Sequence, residues 1–180
     1  MFQKQPVMRR VLASLAPLFL FSIYLYGARA IAILAVSLLV GAGVELLFER
    51  KRGKKPSEAV LVTGALLALS MPPTVPLWIV AVGIAFAVFM AKEVYGGFGR
   101  NVFNPAIAGR LFVYISFVAA MQSGFLSPGA FGTAVDAVGG ATPLVLMRGG
   151  EGRGLGDLLL GLRAGALGES SAILIALAGI

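Results

Sequence analysis

Neither cysteine nor histidine occurs among the 180 residues of this chain, and charged residues make up only 13% of it. The chain therefore cannot supply thiolate or imidazole ligands to zinc or haem, form a disulfide, or use a histidine as a general base. Glu45, Glu58 and Glu93 fall near the ends of apolar segments, where we expect solvated carboxylates. We predict no metal site and no catalytic side chain, so redox chemistry would need an organic cofactor or a partner protein.

Apolar residues dominate the composition, with 58% hydrophobic residues and a mean hydropathy of +0.92. Soluble domains have about 45–50% apolar and about 25% charged residues, so the sequence predicts an all-α, polytopic membrane protein. The net charge is +7, but the basic residues flank apolar segments. This placement indicates a topology signal and contact with lipid headgroups, and it argues against nucleic-acid binding.

We predict a membrane domain over residues 1–121 with five transmembrane segments. Their predicted ranges are Val11–Tyr26, Ala30–Phe48, Ala59–Met71, Leu77–Ala91 and Pro105 to about Met121. The third is short, because about 13 helical residues rise only ~20 Å, and the prolines of MPPTVP stop it. Short, proline-interrupted segments are typical of broken helices in inverted-repeat transporter folds. Ser57 is the predicted N-cap of the third segment, and Asn104 with Pro105 begins the fifth.

Beyond the membrane domain, residues 122–168 are rich in glycine and predict an extramembrane loop, with a short helix near Leu155 to Leu162. Residues 169–180 predict the start of a further transmembrane helix. A span needs about 20 residues, so we expect this sequence to be part of a longer protein.

Counting lysine and arginine predicts the orientation. With the N-terminus inside, ten basic residues fall on the inner side and four on the outer side. The inner set is Lys4, Arg9, Arg10, Arg50, Lys51, Arg52, Lys54, Lys55, Lys92 and Arg100, and the outer set is Arg29, Arg148, Arg153 and Arg163. Cytoplasmic loops carry such an excess, so the N-terminus is predicted to be cytoplasmic. If the short third segment crosses the membrane, the stretch DAVGGATPL then lies on the outer face.

A polar, glycine-dense stretch, KEVYGGFGRNVFNPAIAGR from Lys92 to Arg110, interrupts the apolar segments. One interpretation is a membrane-exit loop, in which Lys92 and Glu93 form an interfacial pair of little energetic worth and Arg110 reaches the headgroups. The other is a ligand-lined helix junction. Asn101 and Asn104 offer the amide donors and acceptors that recognise the edge of a planar heterocycle. GGFG lacks the spacing of a phosphate loop or a dinucleotide fingerprint.

Three motifs resemble one known family. In chain order they are VTGALLALSMPPTVPLW, PLWIVAVGIAFAVFMAKEVYGGFGRNVFNPAIAGRLFVY and DAVGGATPL. The family that they resemble is the NqrB/RnfD family. That family contains the B subunit of the sodium-pumping NADH:quinone reductase and the D subunit of the Rnf electron-transport complex. The resemblance covers nearly all of the chain. Members have about ten helices in two inverted halves, so the resemblance implies that this chain holds the first half and the start of the second.

The resemblance also implies a function. Such a subunit passes electrons within a multi-subunit, sodium- or proton-translocating oxidoreductase in the bacterial or archaeal cytoplasmic (inner) membrane, next to other subunits and quinone. DAVGGATPL implies FMN joined by a phosphoester bond to Thr142, installed by a flavin transferase. The surrounding motif residues are Asp136, Gly139, Gly140, Ala141 and Pro143. Gly139 departs from the family, which usually has a serine or threonine there.

The resemblance implies a second, non-covalent flavin, riboflavin, lined by Asn101, Asn104, Gly97 and Gly99. It does not choose between an Rnf-type and a quinone-reductase-type complex, or between coupling ions. Two other functions remain open from the residues themselves. A broken-helix channel or transporter would carry no redox cofactor, and a structural membrane anchor would only hold neighbouring subunits.

Overall fold

The computed structural model describes residues 3, 5–125, 165–169 and 171–178. The described helices are α1 (Pro6–Tyr26), α2 (Ala28–Lys51), α3 (Ala59–Leu69), α4 (Leu77–Val88), a π-helical turn (Phe89–Glu93), α5 (Pro105–Ser116), α6 (Val118–Ser123) and α7 (Ala172–Ala178). No β-strand occurs in these ranges, where Gln3 and Ser57 form only an isolated bridge. The predicted all-α class is confirmed for the described residues.

The two longest helices, α1 and α2, contact each other, and Gly27 alone separates them in sequence. Gly27 has φ +61°, a conformation that favours glycine. By length and composition, α1 and α2 are the two described helices able to cross a membrane. The helices α3 and α5 are apolar but shorter. The count of five crossings therefore stays a prediction.

The predicted short third segment is confirmed as a broken helix. Helix α3 has 11 residues, nine of them buried, and ends at Leu69 before the prolines. A distant part of the chain binds the end of α3 and the turn after it: Gly168 N donates to Leu69 O at 2.7 Å, and Leu167 N donates to Met71 O at 3.1 Å. Residues 165–167 of the predicted extramembrane loop are thus buried in the protein. The rest of that loop lies largely outside the described residues.

Small residues allow the central helices to approach closely. A Cβ added to Gly109 on α5 would lie 2.9 Å from Gly83 O and 2.7 Å from Ala87 Cβ, both on α4. Ser37 on α2 donates to Gly64 O on α3 at 2.8 Å. Interfaces of this kind are typical of membrane helices, because backbone proximity replaces a hydrophobic driving force.

The cap of α5 matches the prediction, and the cap of α3 does not. Asn104 Oδ1 accepts from Ala106 N at 3.0 Å, so the predicted cap of α5 is confirmed. Ser57 was expected to cap α3, but Glu58 is the residue before α3, and the Ser57 side chain bonds elsewhere. The predicted fifth segment, Pro105 to about Met121, is helical but interrupted, because non-helical angles at Phe117 (φ −128°, ψ 49°) separate α5 from α6.

Candidate functional site

Three residues from separate elements form what we call the buried triad: Glu45 on α2, Ser57 before α3, and Lys92 in the π-helical turn. Lys92 Nζ donates to Glu45 Oε2 at 2.6 Å and to Ser57 Oγ at 2.8 Å. Ser57 donates to Glu45 Oε1 from both its backbone nitrogen and its hydroxyl, each at 2.7 Å. The Lys92 and Glu45 side chains are only 2% and 1% exposed. The triad therefore closes on itself inside the protein.

This burial corrects the expectation that Glu45, Glu58 and Glu93 are solvated. All three are buried, at 1%, 7% and 0% exposure. The structure also corrects the expected interfacial pair of Lys92 with Glu93, because each residue pairs with a different partner. A buried charge is tolerated only when it is paired and hydrogen-bonded, and both are.

Glu93 binds an arginine from the end of α2. Arg52 Nη1 donates to Glu93 Oε2 at 2.7 Å and to Glu49 Oε1 at 3.3 Å, and Nη2 donates to the Glu93 carbonyl. Gly97 packs against this cluster at φ +92°, where an added Cβ would lie 2.5 Å from Glu49 Oε1. No group of acids that could hold a metal ion occurs among the described residues.

Glu93, which lies in the junction beyond α4, has a carboxyl group with a raised pKa. Burial raises the pKa of the Glu93 carboxyl, and the nearby Glu45 carboxylate raises it further. Lys92 and Arg52 partly offset this, and the resulting pKa is about 7. One oxygen, Oε1, has no hydrogen-bond partner within the described residues.

The start of α1 is tied to the same end of the bundle through Glu58. Arg9 Nη2 donates to Glu58 Oε1 at 2.6 Å, and its Nε donates to Oε2 at 3.0 Å. The Gln5 backbone nitrogen donates to Glu58 Oε2 at 2.8 Å. These contacts hold the first turn of α1, which carries Met8, at the wall of a cavity.

That cavity has a volume of about 330 Å³, close to the lower end for small-molecule sites. It lies between α1, α3 and the junction from the π-helical turn to α5. Its lining residues are Met8, Ala59, Val62, Thr63, Leu66, Lys92, Phe98, Asn101, Val102, Phe103, Asn104 and Pro105. Apolar and aromatic walls with a few polar groups are what a planar heterocycle needs.

The structure brings both predicted asparagines to this cavity. Asn101 Nδ2 donates to Phe103 O at 3.0 Å, which leaves the Asn101 side-chain oxygen as an acceptor. Asn104 uses its oxygen as the α5 cap, which leaves its amide nitrogen as a donor. Gly97 and Gly99 do not line the cavity; with φ +92° and +83° they shape the turn that leads to Asn101.

Arg110 and the residues of the Thr142 motif do not line this cavity within the described part of the chain. Arg110 pairs with Glu169 at 3.2 Å, with both side chains about half exposed. Thr142, with Asp136, Gly139, Gly140, Ala141 and Pro143, lies outside the described residues. The covalent site therefore stays a prediction from the sequence.

A profile of the NQR2, RnfD, RnfE family matches residues 2–180. This chain belongs to that family. It is 39% identical over 177 residues to the B subunit of the Na(+)-translocating NADH-quinone reductase of Ectopseudomonas mendocina, covering 94% of this chain and 43% of that protein. It is 38% identical over 176 residues to the protein of the same name from Azotobacter vinelandii, covering 93% and 42%.

A third relative, from Pseudomonas paraeruginosa, again carries the name of the B subunit of the Na(+)-translocating NADH-quinone reductase. It is 42% identical over 148 residues, covering 78% of this chain and 36% of that protein. The chain thus spans less than half the length of these curated relatives. The resemblance inferred from the three motifs is confirmed.

The buried triad is what sequence reasoning missed. The sequence did contain a signal for this pair. Glu45 and Lys92 have opposite charges, and each lies near the C-terminal end of an apolar segment. An ionisable residue beside a membrane span is a candidate for a buried pair with a named partner. The sequence does not show, however, that α2 and α4 are neighbours.

Proposed function

We propose that this chain is part of a membrane subunit of an ion-translocating redox complex, and that it carries electrons through two flavins. FMN is joined to Thr142, and riboflavin is held non-covalently in the cavity lined by Asn101 and Asn104. The observation that carries the proposal is the family match over residues 2–180. Three relatives named as the B subunit of a Na(+)-translocating NADH-quinone reductase support the quinone-reductase type of complex, with sodium as the coupling ion.

The geometry of the cavity supports the riboflavin part of the proposal. Asn101 and Asn104 supply one acceptor and one donor, which suits the alternating polar edge of an isoalloxazine ring. Phe98 and Phe103 are partly exposed aromatic side chains in the same lining and suit contact with a ring face. When bound, the flavin would supply the redox chemistry, while these side chains would bind and orient it.

Orientation and partners complete the proposal. The N-terminus and the cavity lie on the cytoplasmic side, and the Thr142 loop lies on the outer face, so the two flavins sit near opposite faces of the membrane. Other subunits of the complex supply the electron donor and acceptor, and a flavin transferase loads Thr142. Copurification of the chain with the remaining subunits from a native membrane tests the partners.

The covalent site has a direct test. The full chain, co-expressed with a flavin transferase, should show flavin fluorescence that persists after denaturing electrophoresis. Thr142→Val should abolish this signal, because it removes the hydroxyl that forms the phosphoester. Thr133→Val is the matched control, since Thr133 lies in the same stretch and should leave the signal intact. Persistent fluorescence in Thr142→Val would disprove the assignment, and none in the wild type would favour a transporter or an anchor.

A further inference from the structure

We propose that Lys92 is a ligand-binding residue of the cavity, where its ammonium group donates a hydrogen bond to an acceptor that gains negative charge on reduction. The inference rests on the proposed riboflavin site and assigns the residue that distinguishes the oxidised ligand from the reduced one. Glu45 and Ser57 act as positioning residues, since they hold Lys92 without lying in the cavity lining.

One N–H donor of the Lys92 ammonium group is not used by the two hydrogen bonds of the triad. An ammonium group has three N–H donors. Two are used, by Glu45 Oε2 at 2.6 Å and by Ser57 Oγ at 2.8 Å. Within the described parts of the chain, Nζ has no third acceptor. A buried donor without a partner is costly, and Lys92 is one of the residues that line the cavity.

Glu45 and Ser57 hold the Lys92 ammonium group in place. Ser57 directs its hydroxyl proton to Glu45 Oε1, so that the hydroxyl oxygen can accept from Lys92. The Ser57 backbone nitrogen bonds the same carboxylate oxygen at 2.7 Å and anchors Glu45 to the loop before α3. These bonds join α2, the loop before α3 and the π-helical turn to one another. Lys92 therefore cannot move away from its position without breaking a buried ion pair.

The resulting charge pattern favours one redox form of the ligand. Oxidised riboflavin is neutral in its ring system, whereas a ring that has accepted two electrons and one proton carries one negative charge. The two electrons come from the redox partner in the complex and the proton from water. An adjacent ammonium in a site of low dielectric attracts the anionic form more strongly. The cavity should therefore bind reduced riboflavin more tightly than oxidised riboflavin.

The test measures two affinities on the full chain in lipid nanodiscs. A Thr142→Val background removes covalent flavin, and riboflavin is titrated in its oxidised form and, under anaerobic conditions, in its two-electron-reduced form. The unmodified cavity should bind the reduced form at least tenfold more tightly. Lys92→Met should lower this ratio at least tenfold, which corresponds to about 30 mV for a two-electron couple. Lys51→Met, an exposed lysine at the end of α2, is the matched control and should leave the ratio unchanged.

A second variant controls for misfolding caused by the loss of Lys92. Lys92→Met alone leaves Glu45 buried without its counter-ion, so Lys92→Met with Glu45→Gln removes both charges and should show the same loss of discrimination. An unchanged ratio with binding retained would overturn the role of Lys92 and leave the riboflavin site standing. Failure of the unmodified cavity to bind riboflavin in either form would overturn the site and the inference together, while the Thr142 proposal would be unaffected.

Discussion

The ammonium nitrogen of Lys92 lies 2.6 Å from a carboxylate oxygen of Glu45, a residue 47 positions earlier on a different helix. Neither side chain is more than 2% exposed. Together with Arg52 and Glu93, this pair joins α2 to the junction that borders the cavity. The same residues therefore determine both the stability of this end of the bundle and the charge at the proposed flavin site.

Breaking the Lys92–Glu45 pair should destabilise the protein strongly. Glu45→Leu leaves the buried Lys92 ammonium without its counter-ion and should lower the free energy of unfolding by about 3–5 kcal/mol. The double variant Glu45→Leu with Lys92→Leu should recover most of that loss, because no buried charge remains. Denaturant unfolding in nanodiscs measures both. A double variant as unstable as the single one would show that the charges themselves contribute little.

The stability contribution of Glu93 should depend on pH. Its pKa is raised from 4.5 to about 7, so the folded protein binds the proton more tightly than the unfolded chain does. The wild type therefore loses stability as pH rises through the window from about 4.5 to about 7. Glu93→Gln does not titrate. Its free energy of unfolding should therefore rise relative to that of the wild type by at most about 3 kcal/mol across this window and then stay constant. The groups that face Glu93 are Glu45, Glu49, Arg52 and Lys92.

Thermal unfolding at several pH values between 4.5 and 8 provides the measurement. The quantity to plot is the difference in stability between Glu93→Gln and the wild type. A difference that is constant with pH, or that falls as pH rises, would contradict a raised pKa at Glu93.

The close contact of α4 with α5 should not accept a methyl group. Gly109→Ala would place Cβ 2.7 Å from Ala87 Cβ and 2.9 Å from Gly83 O, so it should destabilise the protein by about 1–3 kcal/mol. Gly43→Ala is the matched control, because nothing lies within 4 Å of its added Cβ. Since alanine favours helix over glycine by up to about 1 kcal/mol, Gly43→Ala should be neutral or stabilising. Equal losses in the two variants would argue against the packing of α4 on α5.

The absence of cysteine makes the orientation easy to test. A single Lys54→Cys or Ser127→Cys substitution gives the chain one thiol, on the predicted inner or outer side. An impermeant maleimide should label Ser127→Cys in intact cells, and Lys54→Cys only after the membrane is opened. Labelling of both positions from one side would mean that α3, α4 and α5 cross an even number of times, and the proposed orientation would be wrong.

The sequence by itself determined the features that depend on local chemistry. Composition predicted the helical membrane class, the prolines after Met71 predicted the early end of α3, and Asn104 before Pro105 predicted the start of α5. Each of these follows from hydropathy or from the backbone preferences of neighbouring residues. The three motifs also led to the family, which the match over residues 2–180 confirms.

Only the tertiary structure decided which charges are buried. Glu45, Ser57 and Lys92 are far apart in sequence, and nothing local to any of them shows that α2, the loop before α3 and the π-helical turn meet. The same holds for the binding of residues 167 and 168 to the end of α3 and the turn after it, and for the cavity that Lys92 shares with Asn101 and Asn104. Such contacts depend on helix packing over long sequence separations, which hydropathy and local propensity do not encode.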